Sequence, residues 1–308
     1  MINENFKKDF ADLIESVGTD WTKPWISPNI FPSNCEGKQY TGAMNALVLS
    51  WKVSKYNWET PCFGTFNYWE KNGVTIKKGA KASNVLFSTY LVKDKNGNKI
   101  DYDVYKLMPP KKKKDYKTVP IIKWWSVFNP DQTNINKNGV LWKELEKYKC
   151  EPDVNINPEF SVPAIDKIIS GETKWLCPIK LSHNGKAYYS LTWNEVCVPP
   201  KQSFIDSQSY YSTLLHELTH STKNTLKRGG DVHRWGDYEY GREELCAEIT
   251  SAYLCAYIGF GKTISEHSAK YVKCWLSSIK EQPRFIDTVY ADVEKAIKYF
   301  KENTEIFS

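Results

Sequence analysis

The densest chemistry in the chain lies in five consecutive residues, His216-Glu217-Leu218-Thr219-His220. On a helix, positions four apart lie on one face, so the two imidazoles can converge on one ion. Glu217 lies beside them, placed to hold a metal-bound water and take its proton. The chain has only five histidines, and two are spent here. The motif sits in an apolar helical stretch, residues 210–223, with no Pro or Gly ahead of it. The plainer alternative is two ordinary helix histidines beside a surface glutamate.

A catalytic zinc takes three protein ligands plus water. No third histidine follows in the HExxHxxGxxH style, so the third ligand must come from another element. The next helical stretch, Gly241-Arg-Glu-Glu-Leu-Cys-Ala-Glu248, places Glu244 and Glu248 on one face. This resembles the glutamate-zincin arrangement, in which the first acid binds the metal and the second orients a metal histidine. Glu244 is thus expected as ligand, and Glu248 as the carboxylate that holds a histidine's free N–H. Glu243 is the competing ligand, and otherwise a solvent-facing residue. His267 is either a group that reaches over the metal to stabilise a developing oxyanion or a capping or packed histidine. His233 reads as a loop residue. Tyr188 and Tyr189 precede the motif on a strand, one facing the substrate cleft and the other the core. The set would support water-mediated peptide hydrolysis with Glu217 as general base. No glycine-rich phosphate loop and no serine-nucleophile elbow offers a rival reaction.

The elements that must carry these groups are legible from periodicity. Phe6, Phe10, Leu13, Ile14 and Val17 recur at helical spacing over residues 3–17. Residues 21–32 are rich in Trp and Pro and read as an irregular, packed segment. Residues 43–55 suggest a second helix with Met44, Leu47, Val48 and Trp51 on one side, and 65–71 a short third. Residues 84–92 read as a strand, Lys95-Asn96-Gly97-Asn98 as a hairpin turn, and 101–107 as the returning strand. The run Lys111 to Lys114 reads as a solvated or phosphate-contacting loop. Residues 118–128 are apolar and β-branched, the pattern of a buried strand. Helices are expected at 162–170, 207–223, 243–258, 265–280 and 286–300, and short strands near 175–179, 187–191 and 195–198. The fold class is therefore α+β: an N-terminal α+β domain over 1–134, a linker over 135–157 with room for a short helix at 141–148, and a metallopeptidase-like domain over 158–308.

Charge divides the same way. Residues 1–150 carry 24 Lys and no Arg against 15 acidic residues, a balance of +9, whereas the remainder stands at −3. A basic surface favours polyanions, nucleic acid first. Eight cysteines form no CxxC pair and read as free thiols of a reducing compartment. No window approaches the ~20 apolar residues of a membrane span, and the polar amphipathic start lacks a signal peptide's apolar segment. The expected location is the cytoplasm.

Several motifs, in one order, resemble the antirestriction protein ArdC family of plasmids, phages and other mobile elements. They are Lys38-Gln-Tyr-Thr-Gly-Ala-Met-Asn45, Gly73-Val-Thr-Ile-Lys-Lys-Gly79, Val127-Phe-Asn-Pro-Asp-Gln-Thr133, Tyr210 to His220, Arg242 to Glu248, and Tyr271 with Trp275. The resemblance implies an N-terminal single-stranded-DNA-binding domain and a C-terminal zincin-like metallopeptidase domain. It implies Zn2+ as cofactor, single-stranded DNA as partner, a protein or peptide substrate, and a role in antirestriction or DNA protection. The alternative is a non-catalytic single-stranded-DNA-binding protein with a vestigial or structural metal site. Binding a single strand needs cations along its backbone and aromatic platforms for its bases. Lys77, Lys78, Lys81, Tyr68 and Trp69 are the candidates, with Tyr40 and Asn45 as shape-critical residues and core packing as each aromatic's competing role.

Overall fold

The computed structural model describes residues 2–19, 31–40, 42–149, 160–182, 185–228, 238–264 and 266–308. The architecture is α+β, with a five-stranded sheet in the front half and a three-stranded sheet in the rear. Of the stretch 21–32, read above as irregular, residues 21–30 lie outside the described residues.

The first helix, α1 (Glu4–Thr19), buries the stripe its spacing predicts, Phe6, Phe10, Leu13, Ile14 and Val17. A short strand, β1 (Ser33–Asn34), leads to α2 (Ala43–Tyr56). The sequence suggests one apolar side for α2, but ten of its residues are buried. Leu49 and Val53 pack on Phe63, Val85 and Val127 of the front sheet, while Met44, Leu47 and Val48 pack away from it among helices. Gly42 brings no side chain to cap this helix, and the cap comes from far along the chain. The Ala43 amide donates to Glu294 Oε1 at 3.1 Å.

The front sheet adds β2 (Cys62–Thr65), β3 (Ser83–Lys93), β4 (Lys99–Ile100) and β5 (Lys117–Phe128), in the order β1-β2-β5-β3-β4. Only the β1–β2 pair is parallel. Strands β3 and β5 form a long ribbon, in register from Ser83 opposite Val127 to Lys93 opposite Lys117. Leu86 turns its backbone groups toward α2, where Asn45 takes both: Nδ2 donates to Leu86 O at 2.8 Å, and Oδ1 accepts from Leu86 N at 2.9 Å. The buried amide side chain stands in for a neighbouring strand, satisfying groups that would be costly to leave unpaired. Between β2 and β3, α3 (Phe66–Lys71) begins at Thr65, whose hydroxyl accepts from the Tyr68 amide. Gly64 is required there, because a Cβ would stand 2.7 Å from Tyr68 and 2.8 Å from Trp69.

Three expectations need correction. The returning strand over 101–107 is only β4, and the chain then coils into α4 (Tyr102–Leu107). The Asp101 side chain caps that helix, accepting from the Asp103 amide at 2.7 Å. Tyr102 and Tyr105 stack on one another, and Tyr102 also lies against Tyr90. The lysine run is mostly helical rather than a loop, as α5 (Pro110–Lys113), with proline in its first turn. Strand β5 is not buried: Ile122 is 63% and Trp125 47% exposed, and Val127 lies in the core. Apolar composition predicts a strand, but burial needs a covering layer.

Within the segment read as a linker, α6 (Val140–Glu146) packs Leu145 into a cluster with Cys35, Cys62 and Trp69. The rear half comprises α7 (Pro163–Ser170), β6 (Ile179–Leu181), β7 (Tyr188–Ser190), β8 (Glu195–Val198), α8 (Ser207–Ser221), α9 (Tyr238–Ile258), α10 (Glu266–Ala269), α11 (Val272–Glu281) and α12 (Phe285–Asn303). Its sheet runs β6-β8-β7, so β7 is an edge. Helix α9 is enclosed on both flanks. Leu245, Ile249 and Ala252 join a core with α1, α2, α11 and α12, whereas Leu254 and Cys255 join a second core with α8, α7 and β8. The first of these cores joins the two halves. Seven described cysteines are free thiols, Cys246 and Cys255 buried among them, and Cys150 lies outside the described residues.

Desolvation pushes the Glu294 carboxyl up to about 6, against the pull of the Ala43 amide. A carboxyl raised by folding contributes stability that is fully present below about pH 4.5 and is lost as pH rises through about 6. Glu294→Gln keeps an acceptor for Ala43 but cannot ionise. It should gain about 1–2 kcal/mol on the wild type between about pH 4.5 and 7. Urea unfolding across that range checks this, and a pH-independent difference would contradict it.

Candidate metal centre

Helix α8 starts at Asp206, whose carboxylate accepts from the Ser209 amide at 2.7 Å. Tyr210, Tyr211, Leu214, Leu215 and Leu218 are buried and fix the helix's rotation. The half-buried row Thr213, His216, Glu217 and His220 is left along a cleft against α9. From α9, the expected Glu244 and Glu248 arrive on that cleft, and Glu243 with them; all three carboxylate side chains are buried.

The imidazoles face each other, His216 Nε2 to His220 Nε2 at 3.1 Å. Glu244 closes the triangle, with Oε2 3.5 Å from His216 Nε2 and Oε1 3.5 Å from His220 Nε2. The opposite edge of each ring meets its own carboxylate. His220 Nδ1 lies 3.3 Å from Glu243 Oε1, and His216 Nδ1 lies 3.5 Å from Glu248 Oε1. Each carboxylate in turn has a buried cation. Arg228 grips Glu243 through Nη2 to Oε1 at 2.6 Å and Nε to Oε2 at 3.4 Å, while also donating to Thr219 O and Thr222 Oγ1. Lys262 pairs with Glu248. The Tyr240 hydroxyl is hydrogen-bonded to Glu244.

The electrostatics follow from these contacts. Burial works against ionised Glu243, but Arg228 and then His220 outweigh it and hold the carboxyl below the usual range. Burial likewise opposes Glu248, and Lys262 and His216 pull it down. Burial also opposes a charged His220, yet Glu244, Glu243 and Glu217 together raise it to about 9. A field that holds a proton on His220 at neutral pH is one that favours a metal cation in its place.

The residues present fit a divalent ion. With both Nδ1 atoms turned to carboxylates, the two Nε2 lone pairs and Glu244 converge on one point. Donor atoms about 2.0–2.1 Å from a tetrahedral ion stand about 3.3–3.4 Å apart, close to the spacings seen. Among the described residues, His216, His220 and Glu244 form the one cluster of three such donors, all within 4.8 Å of one another.

Glu217 lines the same cleft, a cavity of about 820 Å³. Both tyrosines of β7 also border it. Tyr188 is 40% exposed, whereas Tyr189 packs on the rear core and its hydroxyl donates to Asn194 Oδ1 at 2.9 Å. Glu243 is not solvent-facing, and its nearest partners are His220 Nδ1 and Arg228 rather than the Nε2 pair. His267 lies in α10 by its backbone, but its side chain is outside the described residues, as is His233 altogether. Sequence reading missed Arg228, Lys262 and Tyr240. One signal was available for the first: the chain has four arginines, all between positions 228 and 284.

The front-half candidates scatter. Trp69 is fully buried, its indole N–H donating to Gly64 O and Phe128 O, so it offers no face to a base. Asn45 is a buried structural bridge, its amide taken up by the Leu86 backbone. The Tyr40 hydroxyl donates to Phe63 O at 3.2 Å, and Tyr68 is half-buried. Lys78 and Lys81 are exposed, whereas Lys77 Nζ donates to Asp131 O.

Comparison with known proteins falls on both halves. Residues 2–128 match the N-terminal domain of anti-restriction factor ArdC, and residues 173–291 match a zincin-like metallopeptidase family. Two solved structures of the antirestriction ArdC protein from plasmid R388 align along the whole chain. The metal-free one is 26% identical, covers 98% of each chain and has a TM-score of 0.64. The Mn(II)-bound one is 25% identical, covers 100% of each and has a TM-score of 0.67. A DNA primase TraC of Escherichia coli is 27% identical over 93% of this chain, which spans 19% of the primase's length. An uncharacterized Sinorhizobium fredii protein is 23% identical, over 96% of this chain and 89% of its own.

Removing Arg228 strands a buried carboxylate. Arg228→Met should cost about 3–5 kcal/mol, and the added Glu243→Gln should recover most of it. Denaturant unfolding of the double-mutant cycle is the check; strictly additive losses would show that the two do not act as a pair.

Proposed function

With the chain an ArdC-like protein, an ArdC-type front half joined to a zincin-like metallopeptidase-fold rear half, we propose that it is a single-stranded-DNA-binding antirestriction protein of a mobile element. Its rear half holds one divalent metal through His216, His220 and Glu244. One coincidence supports this reading above the rest. A chain that resembles a Mn(II)-bound antirestriction protein from end to end also carries, in its zincin-like half, three donors spaced like a tetrahedral face. Two imidazoles with one carboxylate suit zinc, and the order of divalent affinities puts zinc above manganese. The basic front half supplies the charge that a DNA backbone needs.

A second reading, peptide hydrolysis, is favoured by Glu217. Its carboxylate lines the cleft beside the donors, and the edge strand β7 borders the same space, where an extended peptide could add as a strand. A bound divalent ion would supply Lewis-acid polarisation there. Glu217 would take and return a proton at its carboxylate oxygen, Glu243 and Glu248 would keep both rings turned inward, and Tyr240 would orient Glu244. No helix among the described residues is long and apolar enough to cross a membrane.

Metal content and DNA protection test the two readings separately. The wild type should take up one equivalent of zinc or manganese, and Glu244→Ala should lose at least ten-fold in affinity. Absence of uptake in the wild type would overturn the metal assignment. Glu217→Gln should keep the metal. If it also abolishes cleavage of an unfolded protein substrate, the hydrolytic reading stands; if the metal-loaded wild type cleaves nothing yet protects DNA from a restriction enzyme, the non-catalytic reading stands.

A further inference from the structure

A second cavity, of about 420 Å³, opens on the front half and shares no lining residue with the metal cleft. Its floor is set by strand register. Val127 lies opposite Ser83, Trp125 opposite Val85, and Lys123 opposite Phe87. Residues opposite one another across an antiparallel pair share a face, and so do alternate residues along each strand. All six side chains therefore belong to one face of the ribbon. The other face carries Trp124, which packs on Phe6 of α1. At the inner end of the open face, Val85 and Val127 are buried against Leu49, Val53 and Phe63. Farther out, Phe87 and Trp125 each leave 47% of their surface to solvent. Tyr40 and Tyr68 form the walls, and α3 brings Asn67 and Lys71, four apart and on one helix face, to the rim.

We propose that this cavity takes an unstacked nucleobase of single-stranded DNA, with Trp125 and Phe87 as its stacking platform. The inference rests on the DNA-binding reading above and gives it a location. Three observations select this occupant. The cavity volume lies in the range of small-ligand sites, and its exposed surfaces are flat aromatic rings held on a paired strand, which every base can stack upon. Amide and ammonium groups at the rim can meet a base edge and a phosphate. The same face then carries cations outward: Lys123 beside Phe87, and Lys117 opposite Lys93 about 20 Å along the ribbon. Beyond them, residues 93–117 hold nine Lys against four Asp. Bases of a duplex are stacked and paired, so a site of this kind favours the single strand. Glu36, also on the lining, adds one negative charge to a rim that is otherwise neutral or basic.

Fluorescence anisotropy of the full chain with a labelled oligo(dT) and with a duplex of the same length tests the site. Trp125→Ala should weaken oligo(dT) binding roughly ten-fold or more at fixed salt, and Trp125→Phe, which keeps a ring, should restore most of it. The slope of log affinity against log salt should stay unchanged in Trp125→Ala, because no cation is lost. It should fall in Lys71→Ala with Lys123→Ala. Circular dichroism melts of each variant confirm that it is folded. If folded Trp125→Ala and Phe87→Ala both bind oligo(dT) like the wild type, or lose single strand and duplex alike, the base site is overturned while DNA binding stands. If the wild type binds no single strand, the DNA-binding reading fails and takes this proposal with it.

Discussion

Three carboxylates within six residues of one buried helix are the constraint around which the rear half is built. Glu243, Glu244 and Glu248 lie in α9, a helix packed on both flanks and unable to turn any of them to bulk water. Ionised groups in such a place persist only when each is matched by a cation and by hydrogen bonds. Arg228 matches Glu243, and Lys262 matches Glu248. Glu244 faces the two imidazole edges, and there the remaining charge is left for a proton or a metal. A metal held there would be the third solution to one electrostatic problem that the helix poses three times.

The front half solves a different problem. A ribbon of two long strands has two faces; its inner end meets the helical layer of α1 and α2, and farther out only the short helix α4 lies against it. Where that layer stops, aromatic side chains stay half in water beside lysines, the composition of a surface that meets another polymer. Asn45 lets the arrangement stand by satisfying the Leu86 backbone on the edge away from β5. The distal tyrosines are stacked on one another, with Lys106 and Lys113 over their rings.

The sequence made the metal cluster legible because its donors obey a period. His216 and His220, like Glu244 and Glu248, are four apart on continuous helices, and spacing alone puts each pair on one face. Arg228 and Lys262 obey none; they follow their helices in irregular chain and reach the carboxylates by tertiary packing. The residues 101–107 satisfied both a strand's alternation and a helix's three-residue repeat, and local capping by Asp101 decided between them. Trp69 and Trp125 show the same limit for aromatics. Trp69 has polar and charged neighbours in the sequence yet is core, whereas Trp125 lies in an apolar run yet is half-exposed, because burial depends on which elements arrive from elsewhere. The α+β class survived these errors, since it depends on the number and kind of elements rather than on their cover.

The core shared by the two halves has a consequence for synthesis. Phe6, Phe10 and Leu13 are synthesised more than 260 residues ahead of partners such as Trp275, Val289 and Val293. At about 5–20 residues per second, translation leaves that stripe waiting on the order of tens of seconds for its cover. The ribbon, whose long pairing is complete by Phe128, can form well before then. A nascent chain therefore completes its front sheet long before its first helix is fully covered, and every molecule passes through a period in which part of that helix is open to chaperones or to another copy of itself.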